Sequence, residues 1–427
     1  MTTTRHRPEA RTANGPRLWL LACAAAFASI GPAAAEEGAL ARARALLDRV
    51  PLVDGHNDLP WEIRDDPDAP GDVVRYDIRK RRAGDTDIPR LREGRVAAQF
   101  WSVWIPAETK QGFARTQLEQ IDLALRMIEA YPESLSLATR AADIDRARRE
   151  GRIASFLGME NGLALENSLG TLRAYYQLGV RYMTLTHSLN TAWADSATDE
   201  AKHGGLTPFG REVVREMNRL GMLVDISHVS PKVMNDVLDV SEAPVIFSHS
   251  SARALVDHPR NVPDTVLRRM KANGGVVMVT FIPDFVSREA AEWSKGLSQA
   301  VAHASGTADL KRAGEEYAKL HGPEPKATLR QVADHVEHVA RVAGGDHVGI
   351  GSDYWGGPMP VGLEDVSKFP DLFAELIRRG WSDADLEKLA GGNLIRVLTQ
   401  AEAVAMRLQG QRAPSLATIE PLDGRKP

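Results

Sequence analysis

The sequence predicts a (β/α)8 barrel, in which eight parallel strands close into a ring and helices surround them. Eight short apolar or β-branched runs are spaced along most of the 427 residues, and helix-like segments fill the intervals. Six of the eight runs end in His, Asp or Glu. Repeated βα units indicate a parallel sheet, and eight units are the number that closes a barrel. Because active sites of such barrels lie at the carboxyl ends of the strands, these polar ends predict the site.

The runs follow one another at regular intervals along the chain. They occupy residues 50–53, 97–104, 153–157, 182–185, 223–226, 245–247, 275–281 and 348–350. Six of them lead, in chain order, to His56 and Asp58, Glu160, His187, His228, His249 and Asp353. The second and seventh runs carry no such residue.

The intervals between the runs contain helix signals. Thr207-Pro208 and Ser230-Pro231 each place a capping hydroxyl before a proline at the first helical position. Helices are also predicted over residues 328–342, before the eighth strand, and over 383–398, as a closing helix. The long segment 283–326 is a candidate lid or dimer contact, with a simple surface excursion as the alternative.

Composition favours one large domain. With 43% hydrophobic residues, the chain can bury a sizeable core, and one barrel with insertions accounts for most of its length. The predicted organisation is a signal peptide over residues 1–35, the barrel domain over 36–405 and a C-terminal tail over 406–427, of which 418–427 is expected to be loose.

The first 35 residues have the pattern of an export signal. Four arginines precede an apolar stretch, residues 18–30, that is too short to span a bilayer, and small residues at 33–35 predict cleavage near Ala35. We therefore expect an exported protein, periplasmic or secreted, with no transmembrane span in the mature chain.

Cys23, the only cysteine, lies in this segment, so the mature chain would form no disulfide. Lipid attachment at Cys23 is the alternative to cleavage near Ala35. Cleavage would take the net charge from −4 to −7, which argues against nucleic acid as a partner.

The residues at the strand ends predict a binuclear metal site. His56 and Asp58 share one side of a strand by alternation, and His228 and His249 end two neighbouring strands. Glu160 is the carboxylate placed to lie between these two pairs, and its two oxygens can bridge two ions. Paired ions about 3.5–4 Å apart lower the pKa of a shared water, so that hydroxide exists near neutral pH.

Other polar groups are kept outside the predicted site. Asp54 is either a group that orients a ligand or a carboxylate that ties a loop. A serine nucleophile at Ser248 or Ser250 is disfavoured, because adjacent strand residues point to opposite sides, so that His249 would not easily reach either hydroxyl as a base. His335 and His338 have metal-ligand spacing, but they belong to a helix of the outer ring and are interpreted as a solvated face.

Six segments together resemble one known family, the membrane dipeptidases, also called renal dipeptidases. The likeness runs in order across residues 45–400. The matching segments are LVDGHNDLPW (52–61), THSLNTAWADS (186–196), DISHVS (225–230), FSHSSAR (247–253), HPRNVPD (258–264) and GIGSDYWG (349–356).

The resemblance implies a zinc-dependent dipeptidase on a metal-hydrolase barrel, with two Zn2+ per chain. It implies that His56 and Asp58 bind one zinc, that His228 and His249 bind the other, and that Glu160 bridges them. It also implies a possible homodimer and tolerance of a D-residue at the C-terminal position of the dipeptide substrate.

The resemblance also assigns three residues to the substrate. It implies that His187 contacts the carbonyl oxygen as charge develops, that Arg260 binds the substrate carboxylate and that Asp353 handles protons. An imidazole donor and a planar guanidinium suit the first two tasks, and a carboxylate near the bridging water suits the third. One departure concerns Asn161, which follows Glu160 where the family usually has glycine.

Two other functions remain open at the level of sequence. The same metal centre can serve another amide, such as a β-lactam or an N-acyl amino acid. A non-catalytic binding protein on the same barrel is a third hypothesis, although every proposed ligand and catalytic position carries a competent residue.

Overall fold

All eight apolar runs form strands of one parallel sheet. The computed structural model describes residues 1–4, 32–302, 304 and 306–424. Its nine strands are β1 (Leu52–Asn57), β2 (Val96–Trp104), β3 (Leu135–Leu137), β4 (Ile153–Glu160), β5 (Val180–Thr184), β6 (Leu223–Asp225), β7 (Ile246–Phe247), β8 (Val276–Val279) and β9 (Val348–Ile350). They are hydrogen-bonded in the order β2-β1-β9-β8-β7-β6-β5-β4-β3.

An additional pairing between β2 and β4 closes this sheet into an eight-stranded barrel. β2 runs beside β4 from Ala98 opposite Ala154 to Trp104 opposite Glu160. β3 pairs only with the first residues of β4, and β5 pairs with its last residues. The predicted (β/α)8 barrel is therefore confirmed, and β3 is a short ninth strand outside the prediction.

Seventeen α-helices surround the barrel in the part of the chain that the structure describes. They are α1 (Pro32–Arg49), α2 (Leu59–Asp65), α3 (Ile88–Glu93), α4 (Phe113–Ala130), α5 (Ala142–Arg149), α6 (Leu169–Gln177), α7 (Pro208–Leu220), α8 (Pro231–Val240), α9 (Asp264–Asn273), α10 (Pro283–Val286), α11 (Arg288–Val301), α12 (Thr307–His321), α13 (Leu329–Ala343), α14 (Phe369–Arg378), α15 (Asp383–Glu387), α16 (Asn393–Gln409) and α17 (Ile419–Asp423). Short 3-10 turns occupy Gly162–Leu165, Gly345–His347 and Val366–Lys368.

The predicted helix starts are confirmed. Thr207 accepts a hydrogen bond from the Gly210 amide at the start of α7, and Ser230 accepts one from the Val233 amide at the start of α8. The predicted closing helix is α15 and α16, joined by a π-turn over Lys388–Gly392. The turn lies against β1, where a Cβ on Gly391 would come within 2.4 Å of the Pro51 carbonyl oxygen.

Aromatic side chains fill the interior of the barrel below the site. The rings of Phe100 and Phe156 stack with centroids 4.7 Å apart, and Phe100 lies 5.2 Å from the ring of Tyr182. All three are fully buried, and they belong to one cluster with side chains of β1 and of β6 to β8. The stack supports the Tyr182 phenol from beneath.

The C-terminal segment is packed, so the expectation of a loose tail is wrong for residues 418–424. The predicted boundary between residues 405 and 406 falls inside α16. α17 docks on α7, where Ile419 is 5% exposed and Asp423 Oδ1 accepts a hydrogen bond of 2.9 Å from the Phe209 amide. One apolar side chain and one helix-capping carboxylate therefore hold a segment whose composition is mostly polar.

The predicted signal peptide lies mostly outside the described residues, and so does Cys23. α1 begins at Pro32, and the first buried residue described in it is Ala39. Cleavage near Ala35 would therefore retain Ala39 and the buried side chains described after it in α1, Ala43, Leu46 and Leu47. None of the described helices is long and apolar enough to cross a membrane.

The segment 283–326 forms α10, α11 and α12. α10 places Phe285 at the cavity described below, whereas Ala290 is the one side chain of α11 that is buried among the described residues. α11 and α12 are thus a helical excursion on the surface, and α10 is part of the site. A role of the segment as a lid or dimer contact stays a prediction.

Candidate metal centre and active site

The structure brings all eight predicted site residues together at the carboxyl end of the barrel. They surround or lie beneath a cavity of about 400 Å3. His56 lies within β1, Glu160 ends β4, and the remaining six lie in the segments that follow strands. The eight are His56, Asp58, Glu160, His187, His228, His249, Arg260 and Asp353.

Glu160 lies between the two predicted ligand pairs. Its Oε2 is 3.3 Å from His56 Nε2, and its Oε1 is 2.8 Å from His228 Nε2 and 3.4 Å from His249 Nε2. Asp58 Oδ2 is 3.4 Å from His56 Nε2. One carboxylate oxygen therefore faces each pair, which is the arrangement a bridging ligand requires.

The side chains present fit a divalent metal. Three groups converge with ligand atoms within 4.8 Å of one another: His56, Asp58 and Glu160; Glu160, His228 and His249; and His56, His249 and Asp353. His56 Nε2 and Asp58 Oδ1 are buried without a hydrogen-bond partner. Buried polar atoms normally have partners, and imidazole with carboxylate is a donor set that zinc accepts.

Two of these residues have left-handed backbone conformations that non-glycine residues rarely adopt. The φ angles of His228 and Asp353 are +66° and +67°. The Asp353 amide donates to the His56 carbonyl at 3.1 Å, and the His228 carbonyl accepts from the Ala197 amide at 2.7 Å. These bonds hold both side chains over the cavity, and backbone strain of this kind concentrates at functional sites.

Tyr182 orients the imidazole of His56. The phenol oxygen lies 2.7 Å from His56 Nδ1 and 3.2 Å from the Gly55 carbonyl, to which it donates. It then accepts the Nδ1 proton of His56, which leaves the Nε2 lone pair directed at the cavity. Sequence reasoning missed Tyr182, although its place as the first residue of the fourth predicted run was a usable signal.

Ser248 and Asp225 orient the imidazole of His249. Ser248 Oγ is 2.7 Å from His249 Nδ1 and also hydrogen-bonds Asp225, whose Oδ1 accepts from the Ser248 amide at 3.0 Å. The prediction that His249 does not reach Ser248 is wrong, because the ring turns its Nδ1 edge back towards the preceding hydroxyl. Ser248 is fully buried and does not line the cavity, so the contact supports His249 rather than a serine nucleophile.

Asp54 ties β1 to β2 and to the loop that follows β9. Its Oδ1 accepts from the Ser352 amide at 2.7 Å, and its Oδ2 accepts from the Ser352 hydroxyl at 2.6 Å and from Gln99 Nε2 at 2.9 Å. The alternative in which Asp54 ties a loop is the one the structure supports.

Burial and neighbouring charge set the ionisation of the site. Burial lowers the pKa of His187, so this imidazole is neutral at pH 7. Burial raises the pKa of Asp353 to about 8, and the carboxylates of Asp58 and Glu160 act in the same direction. Burial lowers the pKa of Arg260 to about 10, which still leaves the guanidinium charged at neutral pH.

Arg260 is a buried cation at one end of the cavity. It is 3% exposed; its Nη1 donates to Ser250 Oγ at 3.3 Å, and its Nη2 donates to the His249 carbonyl at 3.1 Å. Its Nε has no hydrogen-bond partner, and its guanidinium carbon lies 5.4 Å from the ring centroid of Phe285. No carboxylate forms an ion pair with this guanidinium among the described residues, so it can receive an anionic group of a ligand.

His335 and His338 are buried structural residues, so the prediction of a solvated face is wrong. They are 1% and 6% exposed on α13. His335 Nδ1 accepts from the Ala252 amide at 3.0 Å, and His338 Nε2 lies 2.7 Å from Asp264 Oδ1. Their face of α13 packs inwards on the segments that follow β7, which explains their burial.

Asn161 follows Glu160 in a conformation that favours glycine. Its φ is +107° and its ψ is +99°. Its side chain donates to the Ile105 carbonyl at 3.1 Å and accepts from the Leu163 amide at 3.1 Å, while its own amide donates to Thr184 Oγ1 at 2.9 Å. The turn forms with asparagine because these three bonds compensate the strain.

Comparison with known proteins supports the same interpretation. Residues 40–412 match the sequence profile of the family described as Membrane dipeptidase (Peptidase family M19). Dipeptidase 3 of Mus musculus is 42% identical over 377 residues, which cover 87% of this chain and 68% of that protein.

Solved structures share the fold. The probable dipeptidase PvdM from Pseudomonas aeruginosa superposes with a TM-score of 0.76 at 27% identity, covering 86% of this chain and 100% of that chain. A metallo peptidase from Rhodobacter sphaeroides, solved with a phosphinate mimic of L-Ala-D-Ala, has a TM-score of 0.67 at 24% identity and covers 82% of this chain and 99% of that chain.

Proposed function

Because the chain belongs to the membrane dipeptidase family, peptidase family M19, and is therefore a metallopeptidase, we propose that it hydrolyses dipeptides with two zinc ions held at the barrel mouth. The position of Glu160 between the two ligand pairs is the observation that carries the proposal. His56 and Asp58 would hold one ion and His228 and His249 the other. Bound zinc would supply Lewis acidity, which polarises a carbonyl and lowers the pKa of water.

Three residues of the chain would act on the substrate. His187 Nδ1 lies 3.2 Å from Ser188 Oγ, and when that hydroxyl donates, the ring proton resides on Nε2. Nε2 can then donate to the carbonyl oxygen as negative charge develops there, which stabilises the transition state. Cations bound beside Asp353 would favour its carboxylate form, which would then accept the proton of the attacking water and return it to the leaving amine.

Arg260 would fix the length of the substrate. The free carboxylate of a dipeptide pairs with the guanidinium while its single peptide bond lies beside His187. A tripeptide would place its carboxylate one residue too far, and a blocked C-terminus would leave the buried Arg260 unpaired. We propose that this clamp limits the enzyme to dipeptides and also admits those with a C-terminal D-residue.

Release of free amino acids tests the proposal. The zinc-loaded protein is given dipeptides with L- and D-residues at the C-terminus, together with matched tripeptides and C-terminally blocked dipeptides. Cleavage that is confined to free dipeptides and abolished by a chelator is expected. If dipeptides stay intact while a β-lactam or an N-acyl amino acid is cleaved, the metal centre serves another amide.

Two variants separate metal binding from proton transfer. Asp353→Asn is expected to keep its zinc and to lose most turnover, by about 100-fold or more, because the amide cannot accept a proton. His249→Ala is expected to lose zinc, because it removes one of the proposed ligands. Metal analysis and kcat are measured on both; normal activity in either variant would contradict its assigned role.

We also propose that the mature protein is exported, begins at Glu36 and forms a homodimer. The burial pattern of α1 supports the start, since residues 36–38 are exposed and the first buried side chain after them is Ala39. Mass spectrometry of the mature N-terminus distinguishes this start from lipid attachment at Cys23, and sedimentation gives the oligomeric state.

A further inference from the structure

Two tryptophans form one wall of the cavity beside the proposed reaction centre. Trp61 lies in α2, whose first residue follows Asp58, and Trp104 ends β2 directly opposite Glu160. Their rings meet edge to face with centroids 4.5 Å apart, and Trp104 lies 5.5 Å from the ring of His187. Both are partly exposed to the cavity. The wall therefore offers a large apolar surface next to the position of the scissile carbonyl.

Neighbouring contacts hold this tryptophan pair in place. The guanidinium carbon of Arg64 lies 5.5 Å from the centroid of Trp61, and Arg64 Nη2 donates to Glu119 Oε2 of α4 at 2.9 Å. The backbone of Trp104 is fixed by its pairing with Glu160 in the β2–β4 ladder. A wall that is formed before substrate arrives loses little side-chain entropy on binding.

Among the described residues that line the cavity, no charged side chain is left to pair with the side chain of a substrate. The charged lining residues, among those the structure describes, are Asp58, Glu160, Asp353 and Arg260, and each already has a task in the proposed mechanism. An acidic side chain placed against the indoles would lose its hydration without gaining a partner, and a cationic side chain would gain only the modest attraction of an indole face. An apolar side chain would bury its surface favourably.

The contacts of the substrate's carboxylate and of its carbonyl oxygen determine which of its two side chains meets the tryptophans. Arg260 receives the C-terminal carboxylate, and His187 contacts the carbonyl oxygen, which belongs to the N-terminal residue. The side chain of that residue is attached to Cα, the atom bonded to the carbonyl carbon. It therefore lies beside His187 and Trp104. We infer that the tryptophan pair selects dipeptides with a large apolar or aromatic N-terminal side chain, and that Trp104 determines this specificity. The inference rests on the proposed dipeptidase function.

Ratios of kcat/KM test the inference with the zinc-loaded protein. The substrates are Phe-Ala, Leu-Ala, Ala-Ala, Glu-Ala and Lys-Ala. Phe-Ala and Leu-Ala are expected to exceed Ala-Ala by about tenfold or more, and the two charged substrates are expected to fall below it. In Trp104→Ala the ratio of Phe-Ala to Ala-Ala is expected to fall about tenfold, whereas Trp104→Phe keeps most of it. Trp381→Phe, a substitution outside the cavity, is the matched control and keeps the ratio.

The ratio separates specificity from a merely structural effect, because local disorder would lower kcat/KM for every substrate alike. Equal rates across the wild-type panel, or an unchanged ratio in a folded Trp104→Ala variant, would overturn the inference while the dipeptidase proposal stands. Failure to cleave any dipeptide would overturn the proposed function and this inference together. The wild-type panel decides the question even where the alanine variant does not fold.

Discussion

Asn161 shows how a residue that is not itself a proposed metal ligand can position one. It follows Glu160 with a φ of +107°, and its side chain bridges the Ile105 carbonyl beyond β2 and the Leu163 amide. Its backbone amide is bonded to Thr184 of β5. The turn is thereby tied to both strands that flank β4, which fixes the direction in which Glu160 leaves the barrel.

Asn161→Gly is expected to weaken zinc binding without unfolding the protein. Glycine relieves a backbone strain of about 1–3 kcal/mol but loses both side-chain bonds, so the free energy of unfolding should change by less than about 2 kcal/mol. Loosening Glu160 should lower zinc affinity by about tenfold or more, measured by competition with a chromogenic chelator. Asn167→Gly is the matched control, since Asn167 also has a positive φ, +60°, but lies outside the site. Unchanged zinc affinity in Asn161→Gly would refute the positioning role.

The eight site residues could be predicted because parallel strands end at the same face of a barrel. The position of a residue in the chain therefore predicts its position in space. Ring orientation could not be predicted: which edge of His249 meets Ser248 depends on a side-chain rotation that alternation along a strand does not specify. The burial of His338 depends likewise on Asp264, 74 residues earlier in the chain.

At the scale of elements, fully buried runs were predictable even where the strand has two or three residues, whereas a short and partly exposed strand was not. β3 has three residues, of which only Leu135 is buried, so it carries no readable alternation. α17 has five residues, and its stability comes from docking on α7 rather than from its own helix propensity. Composition alone therefore made this segment resemble a loose tail.

Ile419→Ala distinguishes the docked helix from a loose tail. Truncating this 5% exposed side chain should lower the free energy of unfolding by about 2 kcal/mol, because its contacts with the barrel domain are lost. Urea unfolding measures the change, and kcat should stay as in the wild type, because α17 docks on α7 and contributes no residue to the lining of the cavity. Leu422→Ala is the control, since Leu422 is 37% exposed and should change stability by less than about 0.5 kcal/mol. Equal stability of the Ile419 variant and the wild type would mean that the tail is loose.

At the scale of the whole molecule, the predicted metal centre links distant parts of the chain. The converging ligand atoms come from residues 56 to 353, on segments that follow or end β1, β4, β6, β7 and β9. Without a cation, the carboxylates of Asp58 and Glu160 raise the pKa of Asp353 by repulsion, and His56 Nε2 stays buried without a hydrogen-bond partner. Metal binding is then also a contribution to folding, because the unfolded chain has no such site.

Removing zinc is therefore expected to lower thermal stability as well as activity. A ligand at about 1,000 times its Kd stabilises the folded state by about 4 kcal/mol, which for a chain of this size corresponds to a fall of roughly 5–10 °C in apparent Tm on chelation. Calorimetry with and without chelator measures the shift, and restoring zinc should reverse it. His249→Ala is the control, because a variant that has already lost metal should show little further shift when chelator is added. If the Tm of the wild type and of the variant shift equally on chelation, the chelator acts elsewhere. If neither Tm shifts, the side chains hold the barrel mouth together without a cation, and their convergence reflects packing rather than a metal site.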